Sequence, residues 1–127
     1  MPGSPDAPHL PRSAPIDAYG NGGFRFADMS HRGSLLCLPD SMWAWEVTSP
    51  EQIDRYSLAK VLERAGGIDT LLIGTGTAIW RPSERLRDIF RNVTIGIDAM
   101  QTGPAIRVFN VMISERRRVA AALIAVP

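Results

Sequence analysis

Apolar residues fall along this chain in short blocks divided by proline, glycine and charge, and the spacing within each block separates strand from helix. SLLCL, residues 34–38, is a compact apolar strand. After the turn Pro39-Asp40-Ser41, residues 42–47 alternate so that Trp43 and Trp45 share a face. Upstream, IDAY and GFRF flank Gly20-Asn21-Gly22-Gly23, a cluster tolerant of positive φ, and predict a β-hairpin or an irregular glycine turn over residues 16–27.

The period changes at Ser49-Pro50-Glu51-Gln52. Ser49 as a cap, Pro50 at the first helical position and Gln52 closing a capping box predict a helix start. Leu58, Val61, Leu62 and Ala65 supply its core-facing stripe, and Gly66-Gly67 its stop. Residues 70–73 read as a buried strand. Ser83 caps a second helix with Leu86, Ile89, Phe90 and Val93 on its inner face, and residues 94–97 read as the next strand. A third helix runs from Thr102 to near Glu115 with Ala105, Val108, Phe109 and Met112 inward. VAAALIAV, residues 119–126, is too apolar for an edge and predicts an interior strand. From Met42 onward the order is β-α-β-α-β-α-β, an α/β sheet with crossover helices on its faces, and the early hairpin adds a smaller β layer.

A chain of 127 residues, 45% hydrophobic, suits one domain: a tail over residues 1–14, rich in proline and small residues and expected to be disordered, then a single α/β domain over 15–127. The tail has no apolar export region and too little arginine for a transit peptide. Charges interrupt every apolar run well short of the ~20 residues that cross a bilayer. The lone Cys37, inside LLCL, reads as a buried reduced thiol, and a cytoplasmic location fits.

Net charge is +1, but residues 1–63 carry five basic and eight acidic groups and residues 64–127 carry nine and five, so a docking face is a candidate reading. Arg116-Arg117-Arg118 is the densest cluster. It lacks the aromatic neighbours that stack single-stranded bases, which counts against nucleic acid. Glu84 and Asp88 sit among Arg81, Arg85, Arg87 and Arg91 as a solvated, salt-bridged helix face.

LLIGTG, residues 71–76, raises two readings: a structural turn, or a phosphate cradle at a strand end. Gly74 and Gly76 match two glycines of a dinucleotide fingerprint, Ile79 stands where the third belongs, and Asp98 lies about 20 residues on, where a ribose-binding acid would be. The pocket candidates are therefore Gly74, Thr75, Gly76 and Asp98. No cofactor is expected on this pattern, nor a metal, since His9 in the tail and His31 in a turn form no ligand spacing. Nothing pairs a nucleophile with a base, so no catalytic residue is assigned. Arg107 and Asn110 share a helix face, with an arginine buried on strand-end carbonyls as the structural reading.

Three segments, IDAYGNGGFRFADMSHRGSLLCLPDSMWAW, LLIGTGTAIWRPSERLRDIFRNVTIGIDAMQTG and AIRVFNVMISERRRVAAALI, together resemble one family. It is the domain-of-unknown-function family that includes the mitochondrial complex I assembly factor 3 and many bacterial homologues. Four features carry the resemblance in order: YGxGGFRF, Gly-Ser-Leu-Leu before Pro39, the GTG turn, and the RxxN helix followed by RRVAAALI. The resemblance covers residues 16–124. It implies a three-layer α/β fold with a mixed main sheet, and no catalytic residues to carry over. It also implies a protein-binding or assembly role, which its mitochondrial members perform on the matrix side of the inner membrane, with respiratory-complex subunits as candidate partners. The positions that match are Tyr19, Gly22, Gly23, Phe24, Gly74, Thr75, Gly76, Arg107 and Asn110; Ile79, Trp80 and Pro104 depart from the pattern. For a partner surface, Arg85, Arg87, Arg116 and Arg117 offer planar forks to carboxylates.

Overall fold

Two sheets are present in the computed structural model, which describes residues 9–127. Strands Ala18–Gly20 (β1), Gly23–Phe26 (β2) and Met29–Arg32 (β3) form a small antiparallel meander. Strands Ser34–Leu38 (β4), Ser41–Trp45 (β5), Thr70–Gly74 (β6), Gly96–Met100 (β7) and Val119–Leu123 (β8) make the main sheet in the order β5-β4-β8-β6-β7. β4 runs antiparallel to β5 and β8, whereas β6 runs parallel to β8 and β7, so the sheet is mixed. Helices Ala59–Glu63 (α1), Glu84–Arg91 (α2) and Thr102–Ser114 (α3) cover it.

The two-residue period of a strand divides the core between the two faces. On one face Leu36, Leu38, Trp43, Trp45, Leu71, Ile73, Ala120 and Ala122 pack with Leu58, Val61, Leu86 and Phe90 from α1, α2 and their flanks. On the other, Leu35, Cys37, Leu72, Ala121 and Leu123 pack under Ala105, Ile106, Phe109 and Met112 of α3 and under Phe24 and Phe26 of the meander. Both faces are dry, which is why β8 reads as an unbroken apolar run and lies in the middle. Three layers result, with the meander as the extra β layer.

Several boundaries differ from the sequence reading. The first helix does not start at Ser49: Pro50–Gln52 is a single 3-10 turn, Ser49 makes no side-chain cap bond, and Gln52 Oε1 instead accepts the Thr48 amide at 2.7 Å. Ile53 then turns extended and buries its side chain, which breaks the helix. Asp54 restarts the chain by accepting the amides of Tyr56 and Ser57, and α1 keeps only five residues. Gly66 and Gly67 fall in a second 3-10 turn.

The predicted hairpin is a three-stranded meander. Its second turn, Ala27-Asp28, holds both residues at positive φ, 49° and 61°, the mirror-image geometry that Asn-Gly normally announces.

The strand expected at residues 94–97 begins two residues later, because Thr94 closes α2 at φ 63° and the Ile95 amide bonds the Phe90 carbonyl. Val93, past the end of α2, and Val108, on the flank of α3, are each 37% exposed rather than inward.

Of the expected tail, residues 1–8 lie outside the described residues. From His9 the backbone is docked: the Leu10 carbonyl accepts the Met42 amide at 2.9 Å, and Ala14 and Ile16 are buried.

Candidate functional site

β6 ends on Gly74, whose carbonyl accepts the Ile124 amide at 2.9 Å. A Cβ at Gly74 would lie 2.9 Å from Leu123 Cδ2 and 3.1 Å from Thr102 Cα, so the start of α3 can approach β6 only over a glycine. Thr75 is 2% exposed. Its amide donates to the Met100 carbonyl at 2.8 Å, and its hydroxyl lies 2.6 Å from the Ala78 carbonyl. Gly76, at φ 74°, donates its amide to Thr102 Oγ1 at 2.9 Å. The Thr102 hydroxyl in turn donates to the Ile124 carbonyl at 2.7 Å, and the Thr102 amide donates to the Gly76 carbonyl at 3.1 Å.

These bonds tie the carboxyl ends of β6, β7 and β8 to the first turn of α3. A phosphate cradle needs amides that point at the ligand, and here the Thr75 and Gly76 amides are already used inside the fold. Asp98 does not join them: it lies mid-strand in β7, opposite Leu72, facing a groove beneath α3. On this geometry, adding inorganic phosphate, ATP or NADH should leave the Thr75 and Gly76 amide resonances unmoved at millimolar ligand. A shift centred on Thr75 with sub-millimolar affinity would restore the cofactor reading.

The other matched positions have local tasks. Asn110 grips the chain before β1: its Oδ1 accepts the Ile16 amide at 2.9 Å and its Nδ2 donates to the Ile16 carbonyl at 2.8 Å. Gly23 is required because a Cβ there would lie 2.2 Å from the His31 carbonyl oxygen. Gly22, at φ 81°, donates its amide to the Val126 carbonyl, tying the meander turn to the end of the chain. Phe24 is buried, and the Tyr19 side chain reaches over Gly103 of α3. Arg107 is exposed on α3, not buried on strand-end carbonyls.

The four candidate partner arginines occupy two layers. Arg85 and Arg87 lie on α2, capped by Ser83 Oγ accepting the Leu86 amide. Arg116 and Arg117 follow α3 on the opposite face, where Arg116 takes the left-handed terminating position at φ 60° and Arg117 pairs with Glu115 at 3.8 Å.

The sequence does not announce a depression of about 460 Å³ on the meander, lined by Arg25 and Arg32, which share one face of the sheet, and by Gly20, Gly23 and His31. His31 is a strand residue, not a solvated turn residue. Its Nε2 lies 2.9 Å from the Ser34 carbonyl, and burial holds its pKa below the ordinary histidine value. Two arginines seven apart carry no motif until β2 and β3 pair. Cys37 is fully buried, which pushes its thiol pKa far up and leaves it unreactive.

Comparison with known proteins places this geometry. The family model described as protein of unknown function (DUF498/DUF598) matches residues 16–124. An uncharacterized protein of Rhodobacter capsulatus is 35% identical over 98% of this chain and 94% of its own length. A human protein named NADH dehydrogenase [ubiquinone] 1 alpha subcomplex assembly factor 3 is 32% identical over 88% of this chain, which spans 61% of that protein. A Rhodopseudomonas palustris protein solved by NMR superposes with a TM-score of 0.85 at 61% identity, covering all of this chain and 94% of the other.

Proposed function

The chain belongs to the DUF498/DUF598 family, and on that premise we propose that it is a non-catalytic binding domain, cytoplasmic, that assists assembly of a complex I-type respiratory enzyme by holding one of its subunits. The observation that carries this reading is the extent of the likeness to the proteins named assembly factor 3. The human protein aligns with 88% of this chain, and the family match runs from before β1 to beyond β8. What is shared is the whole folded unit rather than a local motif.

Two features of the site support a binding role over catalysis. The hydroxyls of Thr75 and Thr102 are held on backbone carbonyls, and the thiol of Cys37 lies in the core. A reacting group must reach its substrate, and these do not. Among the described residues no helix is long and apolar enough to cross a membrane, so attachment to a respiratory complex would run through protein contacts.

Affinity capture from the native host, read by mass spectrometry, tests the proposal. Subunits of the respiratory complex should co-purify with the wild-type chain. Reversal of Arg116 and Arg117 to Glu should reduce their recovery while the thermal midpoint stays nearly fixed, since exposed charge changes usually alter stability by under ~0.5 kcal/mol. Absence of any such subunit, together with turnover of a metabolite in a substrate screen, would replace the proposal with an enzyme.

A further inference from the structure

We propose that the free edge of β7 is a docking strand for an extended segment of a partner protein whose side chains alternate between carboxylate and apolar. This inference rests on the partner-binding reading and adds to its arginines a strand edge and the chemistry of the segment that edge would take.

β7 closes the order of the main sheet and pairs only with β6. The Gly96 amide donates inward to Asp69, and the Met100 carbonyl accepts inward from Thr75. Backbone groups of a strand alternate sides, so the N–H and C=O of Ile97 and Ala99 point outward, without partners among the described residues. Natural proteins blunt such an edge with proline, lysine, a bulge or a covering element. GIDAM carries no proline or lysine, pairs with β6 in unbroken register, and has one charge, Asp98.

A groove flanks the strand on each side. Toward α2, a depression of about 410 Å³ is lined by Arg87, Arg91, Ile95 and Ile97. Toward α3, one of about 580 Å³ is lined by Asp98, Arg107, Val108 and Val111. Val108 and Val111 are 37% and 55% exposed, two of the few large apolar side chains left to solvent. Arg91 is engaged with Asp88, whereas Arg87 has no ion pair among the described residues.

An added strand would send alternate side chains into these two grooves. Those toward α2 meet Arg87 and favour carboxylates; those toward α3 meet Val108 and Val111 and favour apolar groups. A second copy of this chain matches poorly. Two-fold pairing of β7 with itself would turn Ile97 and Ala99 toward the arginine side and gather two Asp98 side chains on the valine side.

The test is an NMR titration of the whole chain with a peptide of about eight residues alternating Glu and Val. Amide shifts should centre on Ile97 and Ala99, with methyl shifts at Val108 and Val111. The same peptide N-methylated on the amides that face β7 should bind about tenfold more weakly, because main-chain bonds are lost while the protein is untouched. Arg87→Glu should weaken binding roughly threefold to tenfold. No shift at Ile97 and Ala99 at millimolar peptide, or equal binding of the N-methylated form, overturns the inference, as does a concentration-dependent dimer through this edge. Ala99→Pro separates the two claims, since it removes an outward donor and leaves the bonds to β6 in place. If that variant still captures the native partner, the edge is wrong and the partner-binding reading stands. If the wild type captures none, the reading itself falls.

Discussion

Replacing Thr102 with Val should lower folding stability by about 2–4 kcal/mol, although the two side chains have nearly the same shape. Thr102 is completely buried, and its hydroxyl is both acceptor for the Gly76 amide and donor to the Ile124 carbonyl. Valine leaves both backbone groups unpartnered in a dry site, and each such group costs about 1–3 kcal/mol. Thr102→Ser retains the hydroxyl and loses one methyl, for a cost of about 1 kcal/mol. Urea unfolding checks the pair: the valine variant should shift the midpoint much further than the serine variant at an unchanged slope. Equal shifts would show that the hydroxyl contributes little and that the GTG turn is held by packing.

Asn110→Ala should cost about 2–3 kcal/mol by releasing both bonds to Ile16. Its effect is local in a way that a core truncation is not. The amide of Ile16, bonded to Asn110 Oδ1 in the wild type, should exchange orders of magnitude faster in the variant, while those of β6 and β8 change only with global stability. Asn110→Asp keeps the acceptor for the Ile16 amide but sets a carboxylate against the Ile16 carbonyl, so it should recover only part of the loss. Protection at Ile16 that survives Asn110→Ala would show that the segment is held by Ala14 and Ile16 packing alone.

The parts of the fold legible in the sequence are those where burial is periodic. VAAAL announces a strand covered on both faces, and Leu86 with Phe90 announces the inner face of α2. The parts that stayed hidden depend on pairings between distant residues or on turns without the usual residues. GTG marks a turn, but Thr102 is 26 residues beyond Gly76 and resembles any helix-starting threonine until its hydroxyl is placed between two strands. Asn110 finds its partner 94 residues away. The Ala27-Asp28 turn lacks glycine and asparagine, so nothing in the sequence marks the reversal into β3. The free edge of β7 was hidden for another reason: sequence patterning shows which face a residue takes, while strand order decides which strand ends the sheet. In the sequence Arg87 stands out for its charge alone, and only the fold sets it beside Ile97.

Amide hydrogen exchange separates a domain that holds a protein partner from one that works by chemistry at the GTG turn. The comparison is between the free chain and the chain recovered in complex from its native host. For a domain that holds a partner, new protection should be confined to the exposed surface, strongest over residues 96–100 and the adjoining faces of α2 and α3, with residues 74–76 equally protected in both states. A chain that emerges alone, and whose residues 74–78 gain protection when a metabolite is added, would instead put the function at the GTG turn.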